Sequence, residues 1–257
     1  MITRTLAIIG ITCFARILSA QDTGIKTEHT LSFKSQYIQI KDEFNYGLVN
    51  RGLHLVGEYA LVSYMDKDIF CYQAELGFGV NYNQGLGMMW SLKPFDFFYG
   101  FRLNNNPDIP LTMGPYLSGY YKWFLYPELQ SGHMFWISSY EVGPRFQISL
   151  PVKSRMLHIS LSSSLASLNS RPEAHTEQYY YSLTLSDFVS NPHSNISFGS
   201  VNVYNHTDLR IELVHPPEKG FSIAYEFEFM GYFQTPAFKY MAHSINLNWI
   251  LRYKKSI

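Results

Sequence analysis

The chain has 257 residues, of which 46% are hydrophobic, 17% aromatic and only 16% charged. Lysine plus arginine balances aspartate plus glutamate at 20 each, with no basic run, which excludes a nucleic-acid surface and a nucleic-acid partner. No stretch past the first twenty residues approaches a transmembrane helix, and none carries a long apolar stripe at helical spacing.

Residues 1–20, MITRTLAIIGITCFARILSA, read as a secretory signal peptide. Arg4 gives a positive start, residues 6–14 are mostly apolar, and Ser19-Ala20 offers small residues before Gln21. The apolar run is too short for an anchor crossing a bilayer, so export is the preferred reading. Cleavage would remove Arg4 and Arg16, leaving 20 − 2 = 18 basic against 20 acidic residues, and Cys71 as the remaining cysteine. An exported chain with one thiol has no internal disulfide framework. Residues 21–257 show no Ser/Gly linker and no break in composition, and are predicted to form a single domain.

Beyond the signal the chain alternates at period two, the signature of strands. A weaker strand fits residues 29–41. Residues 53–65 place Leu53, Leu55, Tyr59, Leu61 and Met65 opposite His54 and Glu58. The stretch FCYQAELGFGVNY, residues 70–82, separates Phe70, Tyr72, Ala74, Leu76, Phe78, Val80 and Tyr82 from Cys71, Gln73, Glu75, Gly77, Gly79 and Asn81. Weaker strands fit 86–103, where Pro94 predicts a bulge or split, and 112–126. Residues 134–150 set Met134, Trp136, Tyr140, Val142, Phe146, Ile148 and Leu150 against Glu141, Arg145, Gln147 and Ser149. In 156–165 Leu157, Ile159, Leu161 and Leu165 oppose His158 and a row of serines, with Ser163 interrupting the apolar side. A fourth weaker strand is predicted over 176–188. Clear strands are predicted at 201–214, 221–233 and 244–253, their polar faces carrying His206, Asp208, Arg210 and Glu212, then Glu226 and Glu228, then Arg252. Turn residues join most of these in short connections, and with seven clear and four weaker strands the total lies between ten and twelve, an even count being ten or twelve.

Period two alone does not say which face is wet, because a soluble β-sandwich or a lipocalin-like barrel alternates too. Four features favour an apolar exterior. Strands of about 14 residues, tilted by about 40°, reach about 35 Å, enough to cross a bilayer. Trp and Tyr gather near strand ends at Tyr82, Trp90, Trp123, Tyr126, Trp136, Trp249 and Tyr253, where interfacial girdles would lie. The polar faces mix glycine and serine with charges of both signs, as a crowded lumen requires, and the apolar faces carry almost no charge. The expected fold is all-β, an antiparallel transmembrane up-and-down β-barrel of 10–12 strands.

With those residues in view, the chain resembles the small outer-membrane β-barrel proteins of Gram-negative bacteria. Its Tyr/Phe/Asn-rich strands and the Ala20–Gln21 junction are similar in style to those of Bacteroidota. The terminal INLNWILRYKKSI resembles the alternating aromatic signal read by barrel assembly machinery, although it runs four residues beyond Tyr253. The resemblance covers residues 29–254 and implies fold and an outer-membrane location, with outer-membrane lipid and the assembly machinery as partners. It implies no activity.

Chemistry is sparse. Outer-membrane lipid hydrolases use His and Ser two apart on a lipid-facing strand. His193-Ser194 and His243-Ser244 are adjacent and so point to opposite faces, and His158 with Ser160 sits on the polar face. His206, Asp208 and Glu212 could hold a metal, but Arg210 among them opposes a cation, and an ion-pair ladder with Glu226 and Glu228 is the preferred reading. Glu58, Glu75, Lys122, Glu141, Arg145 and Arg252 are predicted to extend this lumen network, filling a narrow barrel as a plug. No metal and no cofactor are expected. The Asn195 and Asn205 sequons are chance matches in a bacterial barrel, and Tyr179 to Tyr181 read as girdle rather than a sugar platform. The expectation is a non-enzymatic subunit of a larger envelope complex, with other outer-membrane or periplasmic proteins as partners. A narrow solute channel is the alternative, ahead of a lipid hydrolase or a soluble exported binding barrel.

Overall fold

The computed structural model describes residues 26–65, 68–83, 85–104, 106, 109–127, 134–173, 184–214 and 220–252. Residues 1–20, expected to be a signal peptide, and Tyr253 lie outside them, as does the side chain of Arg252. Twelve strands form one antiparallel sheet. They are β1 (Lys26–Asp42), β2 (Val49–Tyr64), β3 (Asp68–Tyr82), β4 (Leu86–Arg102), β5 (Leu111–Leu125), β6 (Met134–Val152), β7 (Arg155–Ser163), β8 (Ala166–Ser170), β9 (Ile196–Ser200), β10 (Tyr204–Val214), β11 (Phe221–Tyr232) and β12 (Phe238–Arg252).

The sheet closes, because β1 pairs with β12 and neighbours pair around the ring. The wall holds ten strands. β7 and β8 run on as one, with a single extra residue against β6 where Arg145 faces Ser162 and Val142 faces Ala166. β9 and β10 likewise form one wall strand, interrupted by a turn at 201–203. Fifteen-residue strands such as β3 and β12 rise about 50 Å along the chain, or about 38 Å at the tilt usual for such barrels.

The alternation of the sequence becomes the two faces of this wall. On β3, Leu76, Phe78, Val80 and Tyr82 point outward and are exposed, whereas Gly77, Gly79 and Asn81 point inward and are buried. Three and four strands away around the ring, on β12 and β11, Ile223, Ile245, Leu247, Trp249 and Leu251 are exposed in the same way. Lys34, Glu58 and Glu141 are buried. Water-soluble barrels have the reverse polarity. Charge inside, an apolar belt outside and a closed backbone ladder together make a wall suited to hydrocarbon, where every amide must be paired within the sheet.

Pro94 produces the expected bulge. β4 slips by one residue against β3, so that Glu75 faces Lys93 while Gln73 faces Asp96, and its register against β5 shifts over the same stretch. Both Lys93 and Asp96 therefore enter the lumen, although they are three residues apart.

The interior has two zones. At the end of the barrel away from the termini, Ile38, Ile40, Met89, Phe124, Tyr126, Phe135, Met230, Phe238 and Tyr240 pack into one buried apolar cluster. Aromatic residues thus fill the lumen as well as the outer wall. Arg171 covers this plug, pairing with Asp42 at 2.8 Å and lying over the rings of Phe238 and Phe44.

The strand predicted over 176–188 is not found where it can be judged. Residues 176–183 lie outside the described set, and Leu185–Ser190 is an α-helix, α1. Thr184 caps it and Asp187 completes a capping box, a T-x-x-D signal that outweighs the apolar alternation. Nor is every connection short, since β8 and β9 are separated by residues 171–195. The end of that segment lies against the outer wall, where the Ser138 hydroxyl of β6 donates to the Pro192 carbonyl and the Ser170 hydroxyl of β8 donates to the Ser194 carbonyl.

Candidate functional site

The polar residues of nine strands converge on the middle of the lumen. Lys34 of β1 is the hub. Its ammonium, 2% exposed, lies 2.5 Å from Glu58, 3.0 Å from Glu226 and 3.1 Å from Glu75. Glu75 also accepts from Lys93 at 2.6 Å. Arg210 bridges Glu58 at 3.3 Å and Glu212 at 3.2 Å, and Glu212 accepts in turn from Asn248 and Ser222. Towards the termini, Arg145 binds both oxygens of Asp96 at 2.9 and 2.7 Å, between the rings of Phe98 and Tyr116.

On the far side of the hub, Lys122 pairs with Glu228 at 2.9 Å and sits over the Tyr240 ring at 4.0 Å. His206 is held by Glu141, with Nδ1 2.7 Å from Oε1. The Tyr120 ring meets the imidazole edge-on at 4.6 Å. Asp208 faces Glu228 directly across the β10–β11 ladder. Buried charge of this density is tolerable where counter-charges and hydrogen bonds offset it, as they do around Lys34, Arg210 and Arg145.

His54 belongs to a separate neutral relay. Its Nδ1 is 2.6 Å from Gln36 Oε1 and its Nε2 3.1 Å from Ser91 Oγ. The ring fills the space vacated by two glycines of the G-F-G stretch. A Cβ on Gly77 would collide with His54 Nε2, and one on Gly79 would lie 2.9 Å from His54 Cδ2. His54 is 1% exposed, so this serine, histidine and amide series packs a wall rather than presenting a nucleophile.

His158 and Ser160 both face the lumen. His158 Nδ1 is 2.6 Å from Ser149 Oγ on β6, and Ser160 stands opposite Arg210 in the ladder. The spacing of these two residues therefore builds no base–nucleophile pair on the lipid side.

The sequence pattern puts Glu58, Glu75, Lys122, Glu141, Arg145, His206, Asp208, Arg210, Glu212, Glu226 and Glu228 on inward faces, and the fold brings all of them into this interior. The pattern misses Lys34, Lys93 and Asp96. Lys34 is visible as an inward position of β1, between Ser32 and Gln36, whereas Lys93 and Asp96 share a face only because of the bulge.

The aromatic positions divide. Trp90, Trp123 and Trp136 are mutual ladder partners continuing from Phe78, so they form one outward row across β3 to β6. Trp90 is half-buried, but Trp123 and Trp136 are shielded, at 8% and 3% exposure. Tyr82 and Trp249 stand open on the outer wall. Tyr126 departs from expectation: it shares the parity of Tyr120, Lys122 and Phe124 and joins the plug inside the barrel.

No protein-family model and no curated relative matches the chain. Solved chains similar to it include the outer membrane protease OmpT of Escherichia coli, at 8% identity and a TM-score of 0.47 over 91% of this chain and 98% of that one. The beta domain of the Bordetella autotransporter BrkA follows at 9% and 0.44, over 88% and 100%. The translocator domain of the autotransporter NalP from Neisseria meningitidis gives 7% and 0.43, over 95% of each. The likeness is one of fold.

Proposed function

We propose that the protein is an integral barrel of the outer membrane of a Gram-negative bacterium, placed there by barrel assembly machinery. In this reading it is a non-enzymatic structural or assembly subunit of a larger envelope complex. The observation that carries the reading is the filled interior. An apolar plug occupies the distal end and an ion-paired layer the middle, with the Arg145–Asp96 pair below it. A barrel closed in this way acts through its outer wall and its loops. The outer wall also differs around its circumference, since Met134, Trp136 and Ser138 are outward-facing yet buried, beside the residues of the 171–195 connection that pack on β6.

Extraction from native membranes in mild detergent, followed by native mass measurement, tests this directly. A stable particle larger than the 29.8 kDa chain, with defined co-purifying outer-membrane or periplasmic proteins, is the expected result. A lone barrel would count against it. Reconstituted protein should give no discrete conductance in planar bilayers, and single-channel steps would replace this reading with that of a narrow channel.

A further inference from the structure

His206, Asp208 and Glu228 do more than extend the ion-pair network. Each presents one donor atom to a common point, and these atoms all lie within 4.8 Å of one another. His206 Nε2 is 3.4 Å from Asp208 Oδ1 and 3.4 Å from Glu228 Oε1. The imidazole is 1% exposed, and this nitrogen has no hydrogen-bond partner.

The other ring nitrogen explains why that matters. Glu141 Oε1 sits 2.7 Å from Nδ1. A carboxylate only accepts, so Nδ1 carries the hydrogen and Nε2 is the ring nitrogen placed to serve as a ligand, through the lone pair it has when the ring is neutral. A lone pair aimed between two carboxylate oxygens is repulsive unless a cation lies among them. A proton on Nε2 would draw one oxygen into a charge-assisted bond of about 2.7–2.9 Å. Two equal separations of 3.4 Å instead match the edge of a coordination tetrahedron. Bonds of about 2.0–2.1 Å at the tetrahedral angle put neighbouring donors about 3.4 Å apart.

Charge agrees with geometry. Asp208, Glu228 and Glu141 bring three carboxylates against the ammonium of Lys122, and the nearby ammonium of Lys93 is itself engaged by Glu75, so carboxylates outnumber cations at this point. Glu228 Oε1, the oxygen that faces His206 Nε2, also pairs with Lys122 at 2.9 Å, so a metal at this point shares that oxygen with the ammonium or draws on Oε2. Arg210, which on the linear sequence stands between the acidic residues and opposes a metal, is turned away onto Glu58 and Glu212.

We propose that the lumen holds a structural divalent cation of the zinc type, ligated by His206 Nε2, Asp208 and Glu228, with Glu141 as the positioning residue for the imidazole. One nitrogen and two carboxylate oxygens suit zinc, and the histidine held by a second carboxylate is the usual support for such a ligand. The metal would pin β10 and β11 to the Glu141 position of β6 across the lumen. This site is independent of whether the barrel belongs to a larger complex.

The test uses the full-length protein, unfolded with EDTA, refolded in detergent with Zn²⁺ alone, passed over chelating resin and assayed for metal by plasma emission. The expected result is one tightly held zinc per folded chain, lost in His206→Gln and in Asp208→Asn and bound at least about tenfold more weakly in Glu141→Gln. Heat-dependent gel mobility identifies the folded barrel in each case. Refolding with Co²⁺ alone gives a second readout on the wild type, the intense visible absorption of a tetrahedral site, which decides the matter should neither variant fold. Folded wild-type barrel without retained metal, metal retained equally by the folded variants, or a pale octahedral cobalt spectrum would each overturn the proposal.

Discussion

The two zones of the interior close the same barrel by opposite means. The distal plug, built on residues such as Met89, Phe124 and Phe238, excludes water by packing and asks nothing of its neighbours except shape. The central layer, built on Lys34 and its three carboxylates, excludes water only as long as each charge keeps its partner. Removal of a group from the plug leaves a cavity, whereas removal of a group from the layer leaves an uncompensated buried charge. The two losses differ in size and in what rescues them.

Lys34→Met should therefore produce the largest effect. It strips Glu58, Glu75 and Glu226 of their shared cation, and a loss of about 3–5 kcal/mol is expected in urea unfolding of the folded barrel in detergent. Partial recovery is expected when Glu58→Gln is added, because one stranded charge is removed with it. A Lys34→Met barrel as stable as wild type would mean that water, rather than the ammonium, satisfies those carboxylates. Phe124→Ala in the plug should cost about 3–4 kcal/mol, and no second charge change should restore it. Gly77→Ala probes the boundary between the zones. Its Cβ would press on His54 and Ser91, with an expected loss of about 1–3 kcal/mol. The same substitution made together with His54→Ala should recover most of that loss, and a failure to recover would leave the strain with Ser91 of β4.

The difference between the zones also explains what can be read from the sequence. Where the inner face is polar, as in Gly77, Gly79 and Asn81 of β3, the contrast with Phe78 and Val80 is complete, and the strand, its faces and its acidic residue are all legible. Where the inner face turns apolar, as at Ile38 and Ile40 of β1, the outer face carries Gln39 and Lys41, so the alternation inverts partway along the strand. That is why β1 reads as a weak strand and why its one central cation, Lys34, does not stand out. Parity also fails at a bulge. Lys93 and Asp96 fall on opposite faces by counting, and only the residue inserted at Pro94 brings both inside. Tyr126 is a different case, since its parity with Lys122 already places it in the lumen. An aromatic at a strand end can equally serve a girdle or a plug, and composition does not separate the two. The cross-strand meeting of Asp208 with Glu228 needs the register of β10 on β11, which no single strand contains.

The smallest effect should come from a charge that belongs to neither zone. Asp187 is partly exposed in the first turn of α1, in the connection between β8 and β9. Its carboxylate accepts from the Thr184 amide at 2.9 Å and from the Thr184 hydroxyl at 2.7 Å. These two bonds hold its pKa below the ordinary carboxylate value. A depressed pKa stabilises the folded cap when the group is ionised. The contribution is thus complete above the ordinary carboxylate range and disappears as pH falls through the lower, folded value. Solvent reaches the group freely, so the loss should stay local. Acidification should lower the protection factor of the Thr184 amide, taken against its intrinsic exchange rate at each pH, and Asp187→Asn should do the same at neutral pH, where the urea midpoint of the barrel stays fixed. A midpoint that moved with Asp187→Asn would mean that the 171–195 connection supports the wall of β6 and is more than a surface loop. The contrast between buried and exposed charge would then have to be redrawn to include the outside of the barrel.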